Sequence, residues 1–236
     1  MRLTELVLLQ HDLTERFQKE YIDKKTLYEC IGDIWSTLKL YFPFHPCEVI
    51  FPLEKYLTVE FRNLKNNKFC GVINKKMIPE KSFIYINNNN PPATQLFSLY
   101  HEIMHWFFHT PAISHYNIKG IAALNIDDYH ANEGAAEMIV PHFVFIPWIA
   151  QEINRRKRLD AEDIREIKEY AAREFNTSPA IIYYRLEGLK YELWQYLHGT
   201  DLSRLKFLSK KQLATKNINI GSLNDTEWII GKWYSA

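Results

Sequence analysis

His101, Glu102 and His105 stand in the order His-Glu-x-x-His. On a helix, residues four apart share a face, so both imidazoles can reach one metal ion. Glu102 projects beside them, where its carboxylate can take a proton from a water that the ion polarises. That division of labour is the chemistry of zinc-dependent attack on a carbonyl. Five residues alone are a weak signal, and their surroundings carry the argument. Leu96, Phe97, Leu99, Ile103, Met104, Trp106, Phe107 and Phe108 make the segment apolar nearly all round. The polar residues Thr94, Ser98, His101, Glu102, His105 and His109 fall into one stripe. A polar stripe on an otherwise buried helix is the reverse of a surface helix and points to a cleft or a metal. His109 lies two turns from His101, too far along the axis to share the ion. It reads as a residue beside the ligands or on the cleft wall.

A catalytic zinc keeps three protein ligands and one open position. The downstream candidates are Asp127, Asp128, His130, Glu133 and Glu137. Helical geometry puts Asp128, Asn132, Ala135, Ala136 and Ile139 on one face, whose small residues allow close packing. His130, Glu133 and Glu137 fall on the opposite face, expected to be solvated. Asp128 is therefore the expected third ligand, with Glu133 and Asp127 as the alternatives. His109, Asn132, Tyr116 and His130, together with His115, are the candidates for supporting a ligand or stabilising an oxyanion.

The elements that must position these residues can be read around them. Residues 3 to 42 read as helix, with Leu27, Ile31, Ile34, Trp35 and Leu38 at three- and four-residue steps and Pro43 at the stop. Leu57 to Phe61, Cys70 to Asn74 and Phe83 to Asn87 have strand character, with a polar turn at 63–68. The last of these, Phe83-Ile84-Tyr85-Ile86, leads into the histidine helix. By analogy with zinc peptidases, it is expected to be an edge strand that pairs with a peptide substrate. The run Asn87 to Pro92 is a loop, and Thr94 is expected to cap the helix that follows. Further helices are expected near 126–140, 143–156, 160–175 and 179–198. The stretch from Asp201 to Ala236 alternates weakly and suggests no role.

These features together resemble the ImmA/IrrE family of metallopeptidases. Phe97-Ser98-Leu99-Tyr100 precedes the motif and His109 follows it; Asp128, Asn132, Ala135, Ala136 and Pro141 then repeat the spacing of the family's second helix. The resemblance runs over residues 83 to 190. It implies an α+β, zincin-like core: a small antiparallel sheet beside paired helices, with added N- and C-terminal helices. It further implies zinc on His101, His105 and Asp128, and Glu102 as the catalytic base. The implied substrate is a partner protein, typically a helix-turn-helix repressor, which would make the chain an anti-repressor. Three positions depart from the pattern. Asp128 stands where the family has Glu, Gly134 where an aromatic is common, and Gln95 near a place often held by Arg.

Composition sets the remaining bounds. With 236 residues and 47% apolar content, the chain can bury a core without metal staples, so a metal here is expected to serve chemistry. A net charge of +1 gives no argument for nucleic acid or an anionic membrane. Cys30, Cys47 and Cys70 are widely spaced and odd in number, which suits reduced thiols. The N-terminus lacks the apolar core of a signal peptide, and no apolar run reaches membrane length, so the cytoplasm is the expected compartment.

The expected division is an N-terminal helical segment at 1–45, a zincin-like domain at 46–198 and an extension at 199–236. Within the second, residues 160–198 resemble a helix-turn-helix pair, with Ser178 and Pro179 opening the second helix. Arg185 on that helix and the basic run at 155–158 allow a DNA-binding reading. Asp160, Glu162, Asp163, Glu166, Glu169 and Glu174 around it would repel phosphate, which favours structural helices. The alternatives to a zinc endopeptidase are thus a non-catalytic metal-binding protein of the same fold and, behind it, a DNA-binding regulator.

Overall fold

The computed structural model of the protein describes residues 3–19, 21–65, 69–111, 115–118, 125–156, 160–218 and 220. In chain order its elements are α1 (Leu3–Lys19), α2 (Lys24–Leu38), α3 (Pro46–Ile50), β1 (Leu57–Arg62), β2 (Phe69–Asn74) and β3 (Ser82–Asn87). Then follow α4 (Pro92–Phe108), β4 (His115–Ile118), α5 (Ile126–Ile139), α6 (His142–Arg155), α7 (Ala161–Glu174), α8 (Pro179–Leu197) and α9 (Lys210–Thr215). The chain divides into two compact units: Met1–Ile22 with Thr26–Met138, and Asp23–Lys25 with Ile139–Ala236. The division by compactness thus falls at Ile139, where the sequence suggested boundaries at 45 and 198. Among the described residues, no helix is long and apolar enough to cross a membrane.

The first unit is built on a four-stranded sheet of order β1-β3-β2-β4. β1 runs parallel to β3, from Leu57↔Ser82 to Arg62↔Asn87, while β2 is antiparallel to both β3 and β4. The sheet is therefore mixed, not antiparallel as expected. The reason is that β3 inserts between β1 and β2, so the strands on either side of the 63–68 segment are not neighbours. The same insertion overturns the edge-strand expectation for Phe83, Ile84, Tyr85 and Ile86. Both edges of β3 are already paired, which leaves no backbone for a peptide.

The N-terminal helical reading is also corrected. The expected single helix is two, interrupted at Tyr21-Ile22-Asp23, where Asp23 is of a type that favours the position just before a helix. The break lets α1 lie against α4 on its own. α4 starts at Pro92, two residues before Thr94, because proline suits the first helical position. Its last carbonyls have no partner within the helix, and α1 supplies them. Gln10 Nε2 donates to Trp106 O and Thr14 Oγ1 to Phe107 O, both at 3.1 Å. Phe17, on the same helix, stacks on Phe108 with ring centroids 4.2 Å apart. On its sheet side α4 rests on β2 and β3, and Trp106 Nε1 donates to Ser82 Oγ at 3.0 Å. The asparagine loop before α4 is closed by side-chain bonds. Asn87 and Asn90 both donate to Phe69 O, and Gln95 donates to Asn88 O and Asn90 O.

α5 is capped by Asn125, whose Oδ1 accepts from the Asp128 N–H at 2.8 Å. Ala131 and Ala135 are fully buried. The face expected to be solvated is not: His130 and Glu137 are buried, and Tyr28 on α2 donates its hydroxyl to Glu133. The N-terminal helices cover that side, a consequence that no local pattern in α5 could reveal. Gly134 faces Met104 of α4 too closely for a side chain, since a Cβ there would meet Met104 Cγ at 2.7 Å.

In the second unit, α8 packs against α6 and α7, and Phe175 meets Phe145 and Trp148 edge-on. Ser178 caps α8 with Pro179 behind it, as expected. Lys24 and Glu192 form a buried ion pair at 3.0 Å. Arg185 is 2% exposed and donates Nε to Val140 O at 2.9 Å, so it presents no group to DNA. The residues expected to alternate near the C-terminus, at 219 and 221–236, lie outside the described residues.

Replacing Gly134 with Val should lower stability by roughly 1–3 kcal/mol through overpacking against Met104. Adding Met104→Ala should recover part of that loss. Urea unfolding of the single and double variants reads both effects.

Candidate metal centre

α4 carries its polar stripe into the interior. His101, Glu102 and His105 are at most 2% exposed. Such burial demands partners, and the two histidines find them on α5 and in His109.

His101 Nδ1 faces Asn132 Oδ1 at 2.9 Å. The amide oxygen requires the hydrogen on Nδ1, which leaves the His101 Nε2 lone pair exposed to the cluster. His105 Nε2 lies 3.0 Å from His101 Nε2 and 3.6 Å from Asp128 Oδ1. His101, His105 and Asp128 form a group able to hold a metal ion, with donor atoms within 4.8 Å of one another. Zinc bonds of about 2.0–2.1 Å would put adjacent tetrahedral donors about 3.4 Å apart. The two shorter separations straddle that value, so the donors fit such an ion with small shifts. Burial also pushes the His105 imidazole below its ordinary range, against the pull of Asp128. The neutral form that results is the one that binds metal.

Glu102 is fully buried, and neither carboxylate oxygen has a hydrogen-bond partner among the described residues. Burial first, and the Asp128 charge second, raise its pKa well above the ordinary carboxylate value. It sits over Gly71 of β2, where a Cβ would come within 3.3 Å of Oε1. An unpartnered carboxyl beside three converging donors is the arrangement expected around a reacting water. Gly71 had no signal in the sequence, since a glycine in a strand is read as a bulge or a close approach without naming the partner.

The remaining candidates sort as follows. Asn132 holds His101. His109 caps α4 and meets His105 Nδ1 to Nδ1 at 2.8 Å. His130 packs edge-on against Phe17, with centroids 4.9 Å apart. Of the alternative ligands, Glu133 is turned to Tyr28, and Asp127 lies 3.6 Å from His109 Nε2. The backbone of His115 and Tyr116 forms β4; their side chains lie outside the described part of the structure.

Lys75, which the sequence presents as one of two lysines after a strand, is 1% exposed. Its Nζ donates to Thr14 Oγ1 at 3.3 Å. Burial pulls it from 10.5 down to about 7, with Asp127 opposing the shift.

An α+β fold with a mixed sheet under a histidine-bearing helix, and a second helix carrying a carboxylate to it, is the architecture of a zincin-like metallopeptidase core. The family model of the IrrE N-terminal-like domain (Peptidase_M78) matches residues 51–187. The chain therefore belongs to the ImmA/IrrE family of metallopeptidases. No curated protein matches it.

The buried Lys75 gives a pH dependence of known sign. Its folded pKa lies below its unfolded one, so from pH 7 to 10 the unfolded chain binds more protons and stability rises with pH. Lys75→Met removes this contribution. The difference in unfolding free energy between wild type and Lys75→Met should therefore shift toward wild type as pH rises through that window, in denaturant titrations at fixed salt.

Proposed function

We propose that the protein is a zinc-dependent endopeptidase that cleaves a partner protein, such as a helix-turn-helix transcriptional repressor, in the cytoplasm. The observation that carries this reading is the convergence of His101, His105 and Asp128 beside Glu102, whose carboxylate has no hydrogen-bond partner among the described residues. Bound by those three residues, zinc supplies a Lewis acid that polarises a peptide carbonyl and acidifies a water. Asn132 and His109 keep the two imidazoles in the tautomers that ligation needs. Glu102 takes the proton of the attacking water and returns it to the departing amide nitrogen. Its raised pKa suits it to hold that proton in between.

An extended substrate needs a free sheet edge. β3 offers none. Among the described residues β4 pairs only with β2, the strand whose Gly71 underlies Glu102. We assign the peptide-pairing role to β4, with the substrate backbone running beside it across Glu102.

The first experiment is zinc per chain in wild type, His101→Ala and Asp128→Ala. One tightly held zinc that survives exhaustive dialysis in wild type, and does not survive it in either variant, is expected. Zinc lost only with His101 would remove Asp128 from the ligands, and no zinc in wild type would turn the reading to a non-catalytic protein. Glu102→Gln should keep its zinc while cleavage of the repressor falls by roughly 10²–10⁴-fold. Unchanged cleavage in that variant would take Glu102 out of the mechanism.

A further inference from the structure

Beside the proposed catalytic group lies a second cluster, of which that chemistry uses His109 alone. His109, Asp127 and His130 each offer one donor atom, and these lie within 4.8 Å of one another. His109 Nε2 is 3.6 Å from the Asp127 carboxylate, and the His109 and His130 rings are within 18° of parallel. His130 is 4% exposed, and neither of its ring nitrogens has a hydrogen-bond partner among the described residues. The Ile22 carbonyl draws on this imidazole but stays outside hydrogen-bonding geometry. Leaving an imidazole dry and unpartnered is costly unless something reaches it. Asp127 keeps 40% of its side chain exposed, which opens the cluster to solvent.

We propose that His109, Asp127 and His130 form a second site for a divalent transition-metal ion, and that filling it opposes the filling of His101, His105 and Asp128. Two imidazoles and one carboxylate suit zinc, nickel or copper, whereas magnesium and calcium require oxygen donors. The adjacent aspartates at the start of α5 are divided between the clusters, Asp128 to one and Asp127 to the other.

The opposition follows from one shared hydrogen. His105 Nδ1 and His109 Nδ1 are 2.8 Å apart, so one nitrogen must donate and the other accept. When His105 Nε2 ligates an ion, its hydrogen sits on Nδ1 and is donated to His109. His109 then carries its own hydrogen on Nε2, directed at Asp127, and has no lone pair for a second ion. When His109 Nε2 ligates instead, its Nδ1–H donates to His105, whose remaining hydrogen moves to Nε2. His105 then faces the catalytic group with a hydrogen where a ligand needs a lone pair. Both sites fill only if this contact breaks.

The second site stands on its own residues, while the opposition rests on the proposed catalytic group. Both are read by equilibrium dialysis of the metal-free full chain against zinc at pH 8, where the buried Lys75 amine beside Asp127, with its pKa of about 7, is largely neutral. Wild type should bind one ion tightly and a second weakly. Asp127→Asn and His130→Gln should keep the tight ion and weaken the second more than about tenfold. Asp127 is partly exposed and its amide isosteric, so that variant tests the site without burdening the fold. His101→Ala should bind a single ion, about 5- to 150-fold more tightly than wild type binds its second, since coupling is reciprocal. Adding Asp127→Asn to His101→Ala should abolish it.

One ion, lost with His101→Ala and indifferent to Asp127→Asn and His130→Gln, would overturn the second site and leave the catalytic reading intact. One ion with the opposite dependence would uphold the second site and overturn the catalytic group. Two ions whose affinities ignore each other would overturn the opposition.

Discussion

Everything in the first unit follows from the burial of α4. A helix that is apolar nearly all round must be enclosed, and enclosing it takes His101, Glu102, His105 and His109 out of water. Each then requires a partner, and the surrounding elements are arranged to supply one. Asn132 reaches His101 from α5, His105 and His109 meet each other, and Asp128 closes on His105. Glu102 is the exception among them: neither of its carboxylate oxygens has a hydrogen-bond partner among the described residues.

Enclosure is completed by side chains that belong to no motif. The last carbonyls of α4 would be costly to bury open, and Gln10 and Thr14 close two of them from α1. Thr14 also receives the amine of Lys75, which ties the end of β2 to the same point. The helix that bears the histidines is thus fixed at its C-terminal end by the N-terminal segment of the chain, through groups about ninety residues away in sequence.

Two of the three departures from the family pattern, at Asp128 and Gly134, fit one geometric account. An aspartate is one methylene shorter than a glutamate, so α5 must come closer to α4 for its carboxylate to reach the imidazoles. Gly134 permits that approach, because any Cβ there would press into Met104. Asn125 adds to this by capping α5 through the Asp128 N–H, which sets the turn from which the carboxylate projects.

The histidine helix, the α5 face bearing Asp128 and Asn132, and the boundaries of α6 to α8 were all legible in the sequence. Their signals are local: a helical period, a cap residue, a proline at a terminus. The family match over residues 51–187 agrees with that reading. What pairs with what was decided only in three dimensions. Strand character identified β1, β2 and β3, but not that β3 would lie between the other two, since strand order depends on long-range pairing. The same limit misjudged His130 and Glu137, whose face is covered by helices more than ninety residues upstream. Arg185 allowed a DNA-binding reading that the surrounding acids disfavoured, and its burial against the Val140 carbonyl was visible only in the fold. Residue type and spacing determine which groups can do chemistry. Which of them lose their water, and so acquire the charge states and partners that make chemistry possible, is set by the segments that fold over them.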